Sequence, residues 1–141
     1  MRYLLDTCLL SELLRPRPEP AVIEWLEARA EDELALSVLS LGEIEKGIAK
    51  LGDGARRQRI RTWLDGDLRD RFHGRVLPID EAVAREWGRL SGEAGRKGLS
   101  LPVIDALLAA TAREHSLVVV TRNKRDLERC GAKVFSPWPS P

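Results

Sequence analysis

What this sequence lacks narrows it first. None of its 141 residues belong to an apolar run of the roughly 20 needed to span a bilayer. Its two cysteines, Cys8 and Cys130, are too few and too scattered for a zinc cluster or a disulfide framework. A reduced, cytoplasmic setting is the simplest expectation. The N-terminal leucines imitate a secretory leader, but Asp6, Ser11 and Glu12 interrupt them and no small-residue cleavage site follows. An excess of one charge is also missing, since 23 basic residues face 22 acidic ones for a net +1. That excludes a nucleic-acid-coating protein and a disordered acidic chain, so any nucleic-acid contact must be a local patch. The two histidines, His73 and His115, fall near expected helix ends, where capping or exposure accounts for them. Tryptophans other than Trp138 fit apolar helix faces, as core or interface rather than base-stacking platforms.

What is present is alternation. Tyr3-Leu4-Leu5 reads as a short buried strand and Thr7 to Leu14 as a helix. Pro16, Pro18 and Pro20 then stiffen the chain. Ala21 to Ala30 is an amphipathic helix, Glu33 to Val38 a second strand, and Ser40-Leu41-Gly42-Glu43 opens a helix to about Leu51. Ala55 to Phe72 reads as one long basic helix whose arginines, Arg56, Arg57, Arg59 and Arg61, form a solvated face that could hold a phosphate backbone. A strand over Val76 to Ile79, a helix capped by Asp80 and running to about Lys97, a helix from Ser100 to His115, a strand over Leu117 to Thr121, a helix over Asn123 to Cys130 and a strand over Ala132 to Phe135 follow. Ser136 to Pro141 is a proline-rich tail. Strands alternating with helices predict one α/β domain over residues 1–141, a three-layer α/β/α arrangement around a parallel sheet.

The helix of Asp105 is the informative one. The run SLPVIDALLAATA is apolar almost all round, which predicts burial on most of its surface, yet Asp105 lies in its first turn. A buried carboxylate needs compensation, either from the helix N-terminus or from a metal ion. In a parallel α/β sheet, strand ends and the starts of following helices share one edge, where ligands bind. Asp6, Glu43, Asp105 and Asp126 all fall at that edge. Each has a local explanation. Asp6 can cap its helix, Ser40-x-x-Glu43 is a capping box, and Asn123-x-x-Asp126 is a looser one. Together they repel, by about 3 kcal/mol for a pair ~5 Å apart at an effective dielectric of 20. Either the groups stand further apart, or a cation sits among them. Oxygen-only ligands imply magnesium or manganese, which activate water and stabilise phosphate oxygens.

The motifs, taken in order, resemble the PIN-domain family in its VapC/FitB-like branch. The resemblance rests on Leu5-Asp6-Thr7 with Leu10-Ser11-Glu12, on Ser40, Glu43 and Gly47, and on Asp105 with Ala109-Ala110-Thr111-Ala112. Thr121-Arg122-Asn123 with Asp126 and Gly131, and Pro137-Trp138, complete it. It implies strand order 3-2-1-4-5 and a toxin of a toxin–antitoxin pair that cleaves RNA as a Mg2+- or Mn2+-dependent endoribonuclease. The family's catalytic, metal-holding acids fall on Asp6, Glu43, Asp105 and Asp126, with Thr7, Ser11, Thr121, Arg122 and Asn123 as candidates beside the substrate or behind the acids. A cognate antitoxin, a homodimer or larger toxin–antitoxin assembly, and operator DNA reached only through the antitoxin are implied as well. The leucine-rich face of Leu9, Leu10, Leu13 and Leu14 also suggests a dimer surface. Cys8 departs from the family, which usually carries Asn after Asp-Thr, and this weakens any supporting role expected there.

Two other readings compete. A catalytically silent module of the same fold would bind RNA or a protein without turnover. A phosphoacceptor receiver domain also gathers acids at this edge, but it needs paired acids ending its first strand and a Lys ending a late one, and neither is present.

Overall fold

Tyr3–Leu5, with three consecutive buried residues, is the central strand β1. In the computed structural model, which describes residues 1–140, it pairs in parallel with β2 (Leu34–Ser37) on one side and β4 (Val118–Val120) on the other. The strands β3 (Val76–Leu77) and β5 (Val134–Phe135) complete an all-parallel sheet in the order β3-β2-β1-β4-β5. Pro141, the last residue of the expected tail, lies outside the described residues. The sheet is as expected in order and direction, but its strands are shorter. β3 stops at Leu77 because Pro78 has no N–H to continue the ladder.

Side-chain alternation along the strands divides the core in two. Tyr3, Leu5, Leu34, Leu36 and Val120 face one layer of helices. That layer holds α1 (Thr7–Leu13), α2 (Pro20–Glu27), α3 (Val38–Lys50) and α4 (Ala55–Trp63). Leu4, Ala35, Leu77 and Val119 face the other, which holds α6 (Glu81–Arg96), α7 (Val103–Glu114) and α8 (Lys124–Arg129). The expected single helix from Ala55 to Phe72 is interrupted. A π-helical turn over Leu64–Leu68, which contains Gly66, separates α4 from the short α5 (Arg69–Arg71).

Three other expectations need correction. Ser40 does not cap α3, because the helix starts earlier, with Ser37 Oγ accepting from Leu39 N at 3.0 Å. α7 begins at Val103 rather than near Ser100, and Val103 is 58% exposed, so the apolar start of the helix is open to solvent and full burial begins at Ala106. Leu9 and Leu10 are wholly buried in the core of their own chain, so they are not free to form a dimer surface. Near the C-terminus, Trp138 packs on the first core and its indole N–H donates to Glu12 Oε1 at 3.2 Å. Glu12 is buried, and burial opposes its ionisation. Bonds from Arg15, Trp138 and the Glu19 N–H outweigh that and hold its carboxyl below the usual range. Among the described residues, no helix is long and apolar enough to cross a membrane.

Candidate metal centre

The site lies where the parallel strands end. Asp6 follows β1 directly and is the N-cap of α1, its Oδ1 accepting from Thr7 N at 2.7 Å. Its other oxygen is held from β4: Thr121 Oγ1 donates to Oδ2 at 2.8 Å. Thr121 is fully buried, and its hydroxyl also accepts from Asn123 N at 2.9 Å. The Cys8 thiol approaches Asp6 Oδ2 at 3.6 Å and accepts from Arg122 N at 3.4 Å. Cys8 therefore does back the aspartate, contrary to the expectation from its chemistry. The one available signal was its position, two residues after Asp6 on the same first helical turn. Burial first, and then the Asp6 charge, raise the Cys8 pKa to about 11.

Glu43 reaches the site from the first half of α3. Thr7 Oγ1 donates to Glu43 Oε1 at 2.6 Å and lies 3.0 Å from Ser40 Oγ. Ser40 thus serves the site rather than the helix end. Asp105 occupies the first turn of α7 as expected, and Asp126 the first turn of α8. Asn123 is the N-cap of α8 but makes no side-chain capping bond, so the second expected capping box is absent. Ser11 is exposed on α1, and the Arg122 guanidinium lies 5.9 Å over the Trp138 ring instead of beside an acid.

Electrostatics tie the four acids together. Burial raises the Asp105 carboxyl above its ordinary value, and the charges of Asp6, Asp126 and Glu43 raise it further. The buried Cys130 thiol is also pushed up, by burial and then by Asp105 and Asp126. Among the described residues, none of the four acids is in an ion pair. Nor are any three His, Cys, Asp or Glu side chains gathered closely enough to enclose an ion. This suits a small hard cation that keeps several waters and takes only one or two carboxylates directly. It does not suit a closed all-protein cage. The donors are all carboxylate oxygens, a set that fits a hard divalent cation such as magnesium or manganese.

A PIN-domain family model matches residues 3–133 of the sequence. This chain belongs to the PIN-domain family. Within it, the relatives are of the VapC/FitB kind. The chain is 35% identical over 135 residues to toxin FitB of Neisseria gonorrhoeae, covering 96% of this chain and 97% of the relative. It is 34% identical over 134 residues to VapC ribonuclease Y4jK of Sinorhizobium fredii, covering 95% and 96%. Among solved structures, FitAB bound to an IR36 DNA fragment superposes with a TM-score of 0.89 at 32% identity, over 99% of this chain and 97% of that one. The shared PIN fold explains why acids from β1, α3, α7 and α8 meet at one edge of the sheet.

Proposed function

We propose that this PIN domain is a divalent-metal-dependent endoribonuclease and the toxin of a toxin–antitoxin pair. The observation that carries the reading is a set of carboxylates from separate elements with no cation paired to them. The strongest sign of it is Asp105, whose carboxyl is raised above its ordinary value by burial first and then by the charges of Asp6, Asp126 and Glu43. Asp6, Glu43, Asp105 and Asp126 would hold Mg2+ or Mn2+. When bound, the ion supplies an activated water and neutralises charge on phosphate oxygens. The chain's own residues do the rest. Thr121, Cys8 and the Thr7 N–H fix both oxygens of Asp6. Thr7 fixes one oxygen of Glu43.

The names of the relatives support this reading: FitB is a toxin and Y4jK a ribonuclease. FitB is also seen in a FitAB complex on DNA, which supports a cognate antitoxin, an assembly of toxin with antitoxin, and DNA contact made through that partner. Homodimerisation and a cytoplasmic site of action belong to the same proposal.

The test is cleavage of an RNA substrate by purified protein in chelator, in magnesium and in manganese. Cleavage should require the metal and vanish in Asp6→Asn and Asp105→Asn, with circular dichroism unchanged. Retained cleavage in folded Asp6→Asn/Asp105→Asn would refute the site.

A further inference from the structure

Helix α4 sorts its four arginines by face. Arg57 pairs with Asp53 at 3.1 Å, and Arg61 binds both oxygens of Glu45 on α3, at 2.6 and 2.7 Å. Arg56 and Arg59 do neither. Among the described residues they are in no ion pair, and both are exposed. Spaced three apart, they are neighbours on one helix face. That face lines a groove of about 440 Å³ between α1, α3 and α4. Ile44 and Ile48 are buried beneath it, Arg15 lines it too, and it reaches Thr7 and Glu43 of the candidate metal centre.

The geometry points to this groove as the track by which a single RNA strand leaves the carboxylates, with Arg56 and Arg59 holding backbone phosphates. This inference rests on the ribonuclease reading. Three features favour RNA as the occupant. The groove is continuous with the acids through Thr7 and Glu43. Beyond Glu43, at the end that meets the acids, its unpaired charges are the cationic Arg56 and Arg59, which complement a phosphate backbone. The acids themselves repel that backbone, so cations must lie beside them if a strand is to stay in place. The apolar floor offers sequence-tolerant contact to base faces, as in other single-strand grooves. Arg56 and Arg59 would be positioning residues, acting on the strand away from the reacting phosphate.

The experiment measures binding of a labelled single-stranded RNA of about a dozen nucleotides, within the range such grooves cover. Chelator is present so that the strand is not cut, and salt is varied from about 50 to 200 mM. The proteins are wild type, Arg56→Gln/Arg59→Gln, Arg56→Lys/Arg59→Lys, and Arg57→Gln/Arg61→Gln. The first and last variants remove the same net charge. Losing two phosphate contacts should reduce the slope of log K against log salt by about 1.4, at about 0.7 per contact for single strands. We expect that loss in Arg56→Gln/Arg59→Gln, a wild-type slope in the Lys pair, and a wild-type slope in Arg57→Gln/Arg61→Gln. Equal losses in both Gln pairs would reduce the effect to net charge and overturn the track. So would no loss at all. If the track stands but the metal-loaded protein leaves bound RNA intact, the ribonuclease reading fails and the binding groove survives it.

Discussion

Thr121 donates its hydroxyl proton to Asp6 Oδ2 at 2.8 Å, joining the end of β4 to the end of β1. The same hydroxyl oxygen accepts from Asn123 N, so one buried side chain sets both the rotamer of the aspartate and the entry into α8. Thr121→Val keeps the shape and removes both bonds. It should cost on the order of 1–3 kcal/mol, the range for leaving buried polar groups unsatisfied. Manganese affinity should fall about 10–100-fold, as when a ligand's supporting partner is lost. Thermal melts and manganese titration of the variant check both. Wild-type manganese affinity in the folded variant would show that Asp6 needs no such support.

Asp105 sets a pH dependence of its own. Its folded-state carboxyl is raised, by burial and then by Asp6, Asp126 and Glu43. The folded protein therefore binds more protons here than the unfolded chain, whose Asp titrates near 3.9. The sign follows. Stability from this group is fully present below that value and is lost as pH rises through the raised folded value. In chelator, Asp105→Asn should melt higher than wild type at neutral pH, and the gap should close towards pH ~4. Divalent metal should narrow the gap at neutral pH by stabilising wild type. Melting curves of the two proteins against pH, with and without metal, provide the check. A variant less stable than wild type in chelator at neutral pH would contradict it.

The Cys8 thiol should behave as a protonated hydrogen-bond donor. Burial and the adjacent Asp6 raise its pKa to about 11, so the reactive thiolate is scarce at neutral pH. Cys130 is buried, and its pKa is raised too. Iodoacetamide at pH 8 should therefore label the native protein slowly at both positions and the urea-unfolded chain rapidly. Cys8→Ala should weaken metal-induced thermal stabilisation, and Cys8→Asn, which restores a donor, should recover it. Fast native labelling at Cys8, read by peptide mass, would rule out the protonated donor.

The sequence was most legible where one residue's neighbours along the chain decide its place. Asp6 after Tyr3-Leu4-Leu5 and Asp105 after Pro102 could be put at a strand end and in a first helical turn, because apolar runs and proline mark those boundaries. It was least legible where distant residues compete for one group. Ser40 satisfies the local rule for a cap, yet it sits by Thr7 while Ser37 caps the helix. Cys8 looked like a poor substitute in isolation, and only the fold brings Thr121 and Arg122 to it. Leu9 and Leu10 looked surplus until the packing of α1 on the sheet showed both wholly buried. Trp138 lies 126 residues from Glu12, and no local pattern announces that bond.

The last prediction concerns inhibition. The four acids carry no paired cation among the described residues, and Asp105 already registers the repulsion of the other three. A partner that silences this site gains most by supplying positive charge to it. A guanidinium offers five donors in a planar fork matched to carboxylates. By its resemblance to VapC/FitB proteins, the antitoxin should carry a C-terminal segment that places an Arg among Asp6, Glu43 and Asp105. That Arg would compete with the metal and relieve the same repulsion. Neutralising its acceptors would leave it buried without counter-charges, so the tail should bind Asp6→Asn/Asp105→Asn more weakly than wild type. Magnesium should weaken the tail on wild type and do much less on the variant. Titration of the isolated antitoxin tail against both proteins, with and without magnesium, measures all four affinities. Affinities that ignore both the substitutions and the metal would place inhibition away from these carboxylates.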